Sequence, residues 1–577
     1  NMDFFIGNQF SAITPDGDLD DGEKQYYWQE REVYNHIAPI IETRLAKLHN
    51  VKPNVNVRPA TNADKDISAA KFASRLIEAA FLNIGIEAVI NEGTMWAELC
   101  GTCFYKLGWN ARAGALAGKR ADGSLVYEGA AEITVCPPFE IYPDDVNAAG
   151  ISGAGSLIHA KIYTIDEIRE IWGVDVEPEP VNAFSADNTP TEGTGYSPGI
   201  RKIIFEKKEN CAYVIERHEM PTKAFPGGRL TIVAGNKLVC DTQLPYPKIF
   251  EESHFPFVRQ TSIEQAGCFF GTSVIERLIP VQRAYNAVRN RKHEFLNRMS
   301  VGILAVEDGS VDTDNLEEEG LAPGKVLVYR QGSAPPHMLD VGKLPDDFHS
   351  EEEKLLEEFV MISGVSEISK YSNVPRTVTS GIAMSLLIEQ DETRLNITAR
   401  SILGAVKNIG AGIVGLYKLF AVKSRLARIA KDAGERVFEE FLKGGITRNE
   451  IIVESDNDVL NTPASRRSMV IDLLKLGLFA DENGKLSDRM RVKALEALGL
   501  GNWESARDVD ELHIKKAIKE NEEMRERDME IDGVDDHKLH IAEHIKAIID
   551  GTITDAAHKE RLTRHTQEHK KLCENKV

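Results

Sequence analysis

The chain has 577 residues and a mass of 64.1 kDa. It is too long for one ordinary core, so several subdomains that share a few long elements are expected. Hydrophobic residues make up 42% of the sequence and charged residues 28%, which excludes a disordered or fibrous chain. The net charge of -21 has the wrong sign for a protein that grips DNA by neutralising phosphates. Any contact with nucleic acid must therefore be local or loose.

Signals for targeting and for disulfides are absent from the pattern. No apolar run approaches about eighteen residues, and the first residues lack a basic segment followed by an apolar one. We therefore expect neither a membrane span nor a secretory signal. The seven cysteines are odd in number and mostly isolated, which predicts reduced thiols in a cytosolic setting.

The first half of the chain is predicted to be helical and then strand-rich. Apolar residues recur every three or four positions over residues 26–49 and again over residues 66–100, where Gly85 is the weak point. From about residue 102 to residue 257, short β-branched runs are broken by Gly, Pro and Asn, which is typical of strands. Within that region, residues 176–199 have the polar, Pro- and Gly-rich composition of a loop.

The middle of the chain alternates between helices and a small insert. Residues 271–300 have a helical pattern that Pro280 should bend or restart, and residues 301–345 are predicted to form a compact strand-rich insert, with one strand over 325–329. A second helix is expected from about residue 346 to residue 363, and a long helix over residues 382–429 follows a Ser-, Asn-, Pro- and Thr-rich loop.

The last part of the chain is predicted to be helical and highly charged, as in a solvated helical crown. Three histidines, His537, His540 and His544, fall on one helical face at a spacing that could bind a metal. The flanking sequence is charged and has no apolar frame, which favours polar contacts between helices or subunits, with Asp536 capping the helix. Metal binding stays open as the alternative.

Signatures of enzyme chemistry are incomplete. Cys100 and Cys103 have a redox or half-zinc spacing, but no second such pair completes a four-ligand site, so small residues that close a helix at Gly101 are the better interpretation. Residues 114–119 and 320–325 place a glycine before a lysine without the spacing of a nucleotide-binding loop. We therefore predict no catalytic residue, no cofactor and no metal.

The helix over residues 271–300 is basic within an acidic protein. Its candidate nucleic-acid or inter-subunit residues are Arg283, Arg289, Arg291, Lys292 and Arg298. A basic helix is often only a solvated face or a partner for acidic neighbours. The alternatives are a face that meets nucleic acid and one that meets an acidic neighbouring subunit through residues such as 351–353.

Several landmarks, in this order, resemble the portal family of tailed bacteriophages. They are the opening Gly7-Asn8-Gln9-Phe10, the Gly271-Thr272-Ser273 turn with Gln282 and Asn286 on the helix after it, Gly364-Val365-Ser366-Glu367 before Ser380-Gly381-Ile382-Ala383, and Asp536-His537 with His540 and His544. Each motif is short, but together with the order helix, insert, helix, loop, long helix they cover nearly the whole chain.

The resemblance implies a mainly helical α+β portal fold that assembles as a ring. The implied regions are a wing (1–270), a first stem helix (271–300), a clip (301–345), a second stem helix (346–363), a tunnel loop (364–380), a long helix with the wing's return segment (381–461) and a crown (462–577). Cyclic closure of such a ring requires one face of each subunit to meet a different face of the next.

The resemblance also implies a function and partners. The ring, a dodecamer in the virion, surrounds a channel for DNA packaging, retention and ejection at a unique capsid vertex, after assembly in the host cytoplasm. The partners would be other copies of the chain, double-stranded DNA without sequence preference, the terminase large subunit, a head-tail adaptor, and the major capsid and scaffolding proteins, with no membrane. The tunnel-loop candidates for touching DNA are Ser366, Lys370, Tyr371, Arg376, Thr377 and Thr379.

Three rival hypotheses belong to other classes. The first is a metal-dependent hydrolase that uses His537, His540 and His544, and the second is a redox protein that uses Cys100 and Cys103. The third is another viral ring or shell subunit, although adaptors are usually shorter and a capsid subunit needs no helix, insert and helix stem. Metal analysis and electron microscopy of the purified protein discriminate among them.

Overall fold

The computed structural model divides the chain into two compact units, residues 1–460 and residues 461–577. The structure describes residues 1–10, 30–49, 53–59, 61, 64–119, 123, 125–186, 203–246, 255–301, 303–311, 326–339, 346–365, 381–422, 425–426, 441, 451–455, 509–524, 527–529, 531–532, 534–549 and 556–574. Helices and strands that are largely separate along the chain make the fold α+β.

The first unit opens with helices. They are α1 (Met2–Ile6), α2 (Ile37–Leu48), α3 (Asp64–Ile84) and α4 (Ile86–Cys100), with strand β1 (Pro53–Val57) between α2 and α3. The break between α3 and α4 lies at Gly85, as the sequence predicted, because Gly85 adopts a φ of 70° that favours glycine. Gly101 ends α4 in the same left-handed region, with a φ of 85°.

The strand-rich region forms a three-stranded, a six-stranded and a two-stranded sheet among its described residues. Its strands are β2 (Thr102–Asn110), β3 (Leu116–Lys119), β4 (Leu125–Tyr127), β5 (Ala130–Cys136), β6 (Ile141–Pro143), β7 (Ser156–Thr164), β8 (Glu179–Ala186), β9 (Ile203–Glu219), β10 (Arg229–Ala234), β11 (Lys237–Thr242) and β12 (Phe257–Thr261). The three-stranded sheet has the order β12-β2-β5, the six-stranded sheet has the order β11-β10-β9-β7-β6 with β8 also on β9, and β3 pairs with β4. One short helix, α5 (Ile165–Trp172), follows β7.

The rest of the first unit consists of helices and two small sheets. Helix α6 (Val274–Val301) leads to strands β13 (Ile303–Ala305) and β14 (His337–Leu339), which pair antiparallel, and then to α7 (Asp346–Ser363) and α8 (Gly381–Phe420). Strand β15 (Ile451–Ser455) returns to pair with β1. The second unit contains α9 (Val509–Glu523), α10 (His537–Ile549) and α11 (Ala556–Glu574) among its described residues.

Helix α8 lies in the main core of the first unit. Ile402, Val406, Ile409 and Ile413 are buried and share one cluster with residues of α3, β1 and β2. Among the described residues, the stretch Leu395–Phe420 has the length and hydropathy of a membrane span. Most of its apolar positions pack inside this core, and core helices of that length and composition pass the same test.

Three sequence predictions differ from the structure. Residues 30–36 form no helix, and α6 binds their backbone instead. Residues 179–186, predicted as loop, form β8, which is paired along β9. Residues 326–329 form no strand, and Val326 and Val328 are exposed. Of the two outcomes predicted for Pro280, a bend or a restart of the helix, the restart does not occur, since α6 runs through Pro280.

Candidate nucleic-acid interface

Helices α6 and α7 pack as an antiparallel pair around an apolar seam. Ile275, Leu278 and Tyr285 of α6 share a buried cluster with Leu355 and Phe359 of α7. Glu352, near the N-terminus of α7, contacts Arg289 and Lys292 in the C-terminal half of α6. The two helices therefore run in opposite directions. Strands β13 and β14 pair beyond this end of α6, where the chain leaves the helix.

The predicted cations of α6 divide into two kinds. Arg289 Nη1 lies 2.6 Å and Lys292 Nζ 2.7 Å from the two oxygens of Glu352. Burial alone would raise the pKa of Glu352, but hydrogen bonds and charge from Lys292 and Arg289 outweigh burial and lower it. Arg289 and Lys292 therefore fit the first interpretation of the basic helix, in which its cations pair with acidic neighbours. Here the acidic neighbour, Glu352, lies in the same chain.

Two of the remaining predicted cations of α6 are exposed. Arg283 is exposed and its guanidinium lies over the ring of Phe4, with 5.2 Å to the ring centroid. Arg291 is exposed as well. Arg298 lies on α6, and its side chain is outside the described residues. The predicted tunnel-loop residues, Ser366, Lys370, Tyr371, Arg376, Thr377 and Thr379, also lie outside the described residues.

Four side chains at every fourth position of α6, Gln282, Asn286, Asn290 and Glu294, bind the backbone of residues 30–36. We call this row of side chains the ladder. Oxygens of Gln282, Asn286, Asn290 and Glu294 accept the backbone N–H groups of His36, Tyr34, Glu32 and Glu30, at 3.0, 3.1, 3.2 and 3.1 Å. Gln282 and Asn290 also donate to the backbone oxygens of Tyr34 and Glu32. Four helical residues advance about 6.0 Å and two extended residues about 6.6 Å, so the two periods nearly match.

Gln9, from the opening segment of the chain, contacts the ladder at Asn286. Gln9 is 5% exposed, donates to the backbone oxygen of Phe4, and accepts from Asn286 Nδ2 at 2.6 Å. Sequence reasoning noted Gln9, Gln282 and Asn286 only as separate landmarks. The missed signal was the repeat of Gln, Asn, Asn and Glu at every fourth position of α6, which marks one polar stripe on a helix.

The turn before α6 is set by a close approach of two backbone segments. A Cβ on Gly271 would lie 2.6 Å from the oxygen of Ile263 and 2.8 Å from that of Gly101, so only glycine fits without movement. Ser273 Oγ accepts the N–H of Ile275 at 3.1 Å and donates to the backbone oxygen of Glu98. These contacts fix where α6 begins relative to α4.

A buried polar network lies beneath this turn. Both oxygens of Glu98 are bonded by Arg44, with Nε at 2.7 Å and Nη2 at 3.3 Å, and Ser262 Oγ donates to Oε1 at 2.6 Å. Arg44 also donates to the backbone oxygen of Ser363, the last residue of α7. The network therefore ties α2, α4 and α7 together and supports the base of the α6–α7 pair.

The predicted histidine contacts occur inside the second unit. Asp536 Oδ1 accepts the N–H groups of Lys538 and Leu539, which confirms the predicted cap. His540 Nδ1 lies 3.1 Å from Glu520 of α9, and His537 Nδ1 lies 2.9 Å from His569 Nδ1 of α11. These histidines are buried rather than exposed, and their partners lie in the same chain.

Comparison with known proteins gives one family. The family model described as "Phage P22-like portal protein" matches residues 168–462, which is just over half of the chain and includes β8 to β15 with the α6–α7 pair. No curated protein matches the sequence. The chain therefore belongs to the phage P22-like portal protein family, whose members are structural, non-enzymatic components of the virion.

Proposed function

We propose that this chain is the subunit of a closed ring, a dodecamer in the virion, that forms the DNA channel at one capsid vertex. The ring assembles in the host cytoplasm with the capsid and scaffolding proteins. It docks the terminase large subunit during packaging and a head-tail adaptor afterwards, and it retains and then ejects the genome. The family match supports this proposal, and the regions follow the assignment of wing, stem, clip, tunnel loop and crown given above.

The exposed apolar surface of the insert between α6 and α7 is the structural observation that supports ring assembly. Its described residues, 303–311 and 326–339, contribute to none of the four hydrophobic clusters. Val326 is 83% and Val328 80% exposed, and Met338 is exposed on β14. A two-stranded sheet without an apolar partner is marginal in water, so this clip region needs a neighbouring surface. Adjacent copies of the chain supply that surface in a ring.

Electron microscopy of the purified protein tests the ring. We expect flat rings with a central hole, and monomers or closed shells would contradict the proposal. Replacing Val326 and Val328 by serine should reduce the ring fraction while leaving the melting temperature of the subunit unchanged. Leu238→Ser, an exposed apolar residue of strand β11, is the matched control and should assemble normally.

The channel surface is proposed to touch DNA weakly. Each neutralised phosphate adds affinity, whereas translocation needs a nearly flat energy profile, and the chain's net charge of -21 fits the second requirement. Shortening residues 366–379 should leave ring assembly intact and impair packaging or genome retention. Discrimination between duplex sequences by more than about tenfold, roughly 1.4 kcal/mol, would contradict this channel model.

The exposed cations of α6 are the better candidates for contact with DNA or with a neighbouring subunit. We expect Arg283→Gln with Arg291→Gln to lower packaging or ring formation without lowering the melting temperature. Arg289→Gln should lower the melting temperature instead, because it leaves Glu352 with one partner fewer. Equal melting behaviour of the two variants would show that this division of the cations is wrong.

The hydrolase alternative has no support. The family is non-enzymatic, and the histidines on which it depends are buried, His540 and His544 at 0% exposure, so a substrate has no access to them.

A further inference from the structure

The described residues of the second unit bury mostly polar side chains. Three of the buried side chains are apolar, Ala517, Met524 and Leu562. The others among the described residues are polar or charged, namely Glu520, Asp535, His537, His540, His544, His558, His565, Thr566 and His569. Because a buried polar group is costly unless it is paired, each of these side chains needs a partner.

Four of these groups converge from three helices. Glu520 comes from α9, His544 from α10, and His565 and His569 from α11, and one ligand atom of each lies within 4.8 Å of all the others. Glu520 Oε2 is 3.8 Å from Nε2 of both His544 and His565. Nε2 of His565 is 3.1 Å from Nε2 of His569.

These separations fit a four-coordinate cation. Zinc binds imidazole nitrogen and carboxylate oxygen at about 2.0–2.2 Å, which places the ligand atoms of a tetrahedral site roughly 3.3 Å apart. Three of the separations, 3.1, 3.8 and 3.8 Å, lie on both sides of that value. A small contraction of the side chains around an ion would therefore complete the geometry.

The hydrogen bonds leave a lone pair directed into the cluster. His544 Nδ1 lies 2.6 Å from Asn521 Oδ1, an acceptor, so it carries the proton and Nε2 presents a lone pair. His544 is fully buried, and within the described part of the chain its Nε2 has no hydrogen-bond partner. A cation in the cluster would take up this lone pair.

The carboxylate of Glu520 is turned toward the imidazoles. Lys516 Nζ lies 3.9 Å from Glu520 Oε1, but it is held 2.6 Å from Asp535. Oε2 therefore remains directed toward the imidazoles.

We propose that Glu520, His544, His565 and His569 bind one divalent transition-metal ion, Zn²⁺ by its ligand preference, as a structural site that joins α9, α10 and α11. His540, whose Nδ1 lies 3.1 Å from Glu520 Oε2, and Asn521 are positioning residues that orient the ligands. With four protein ligands, no position is left for water or substrate, which makes the site structural rather than catalytic. This departs from the sequence prediction of no metal.

Two other groupings in the described part of the chain are weaker candidates. Cys136, Glu140 and His159 lie together, but the ammonium of Lys106 is 3.3 Å from His159 Nδ1 and would repel a cation. In the group of His513, Asp535 and His540, the carboxylate of Asp535 is already held by Lys516.

Metal content and titration of the untagged full-length protein test the proposal. Protein treated with chelator and then given Zn²⁺ alone should bind one ion per chain and melt at a higher temperature. Co²⁺ in place of Zn²⁺ should give the visible absorption of a four-coordinate site, a measurement on the unaltered chain that does not depend on any variant folding. Failure to bind either ion in a folded protein overturns the proposal.

Matched variants locate the site. His544→Gln and His565→Gln should abolish stoichiometric binding, and Asn521→Ala should weaken it about 10- to 100-fold. His558→Gln is the control, since His558 is buried in the same unit but bonds the backbone oxygen of Asn521 and lies outside the four ligands. If His558→Gln lost the ion as fully as His544→Gln, or if His544→Gln kept it, the assignment would be wrong.

Discussion

Two buried glutamates, one in each unit, are compensated in different ways. Glu98 is fully buried, and Arg44 and Ser262 supply donors to both of its oxygens. Glu520 is 4% exposed, and its Oε2 faces the rings of His540, His544 and His565. The first carboxylate is bonded on both oxygens by donors that include a guanidinium, whereas the second faces imidazoles on Oε2 and has the ammonium of Lys516 3.9 Å from Oε1.

The difference separates a closed network from an open one. Around Glu98 every bond is made within the chain, so the network acts as a joint between α2, α4 and α7. Around Glu520 the ring nitrogens of His540, His544 and His565 that lack partners are all buried. A buried polar group is stable only when it is paired, and the proposed ion would supply the partner that His544 Nε2 lacks among the described residues.

Removing the charge of Glu98 should have the largest effect. Glu98→Gln leaves the guanidinium of Arg44 buried without its counter-ion, which costs about 3–5 kcal/mol of stability. The melting temperature of the first unit should fall, by the same amount with and without a chelator, because no metal takes part. Differential scanning calorimetry of the purified chain in both buffers measures this.

Asp241→Asn is the control for that experiment. Asp241 accepts two bonds from Arg229 at 2.8 Å, but Asp241 is exposed and Arg229 is only partly buried, so the effect should be far smaller. If the loss in melting temperature of Glu98→Gln depended on the chelator, the distinction between the two networks would be wrong.

The ion pair of Lys106 and Glu216 should make the stability of the first unit depend on pH. Lys106 Nζ lies 2.6 Å from Glu216 Oε2. Burial alone would raise the pKa of Glu216, but His218 and Lys106 outweigh burial and lower it to about 2. The stability from this pair is therefore fully present above the usual pKa of 4.5 and is lost as the pH falls toward about 2.

Lys106→Met tests the sign of that dependence. At pH 6 the variant should lose about 1–3 kcal/mol, because a buried carboxylate is left with fewer partners. The difference from the unaltered chain should shrink as the pH falls from about 4.5 to about 2. Urea titrations at several pH values measure it, and a difference that does not change with pH would rule out Glu216 as its source.

The elements of the fold were largely predictable because their signals are local. Apolar spacing located α3, α4 and α7, and Gly85 and Gly364 marked breaks because both adopt positive φ values. Residues 30–36 were misassigned because their helical spacing was outweighed by hydrogen bonds to a helix some 250 residues later in the sequence. A tertiary contact at that separation leaves no local pattern.

The sites were harder to predict for the same reason. Periodicity placed His537, His540 and His544 on one face of a helix, but the converging set replaces two of them by Glu520, His565 and His569 from other helices. The basic character of α6 was read correctly, yet the sequence could not distinguish Arg289, which is bound to Glu352, from the exposed Arg291. Pairing across elements decides which charges remain accessible.

The ladder on α6 should give the smallest but most local effect. Asn290 accepts the N–H of Glu32 at 3.2 Å and donates to its oxygen at 3.0 Å, so Asn290→Ala removes both bonds to one residue. The loss should be about 1–2 kcal/mol, equivalent to about 5- to 30-fold faster exchange of the Glu32 amide. Hydrogen exchange with mass spectrometry of the segment 30–36 measures it.

Arg291→Ala is the control, since Arg291 is the next residue of α6 but is exposed. Its exchange over residues 30–36 should match that of the unaltered chain, because replacing Arg by Ala keeps high helix propensity and removes no bond of the ladder. If both variants accelerated exchange equally, the helix rather than the ladder would be holding the segment. If only Asn290→Ala did so, the ladder would resemble the network of Glu98, because all of its hydrogen bonds would be satisfied within the chain and no added ion would be needed.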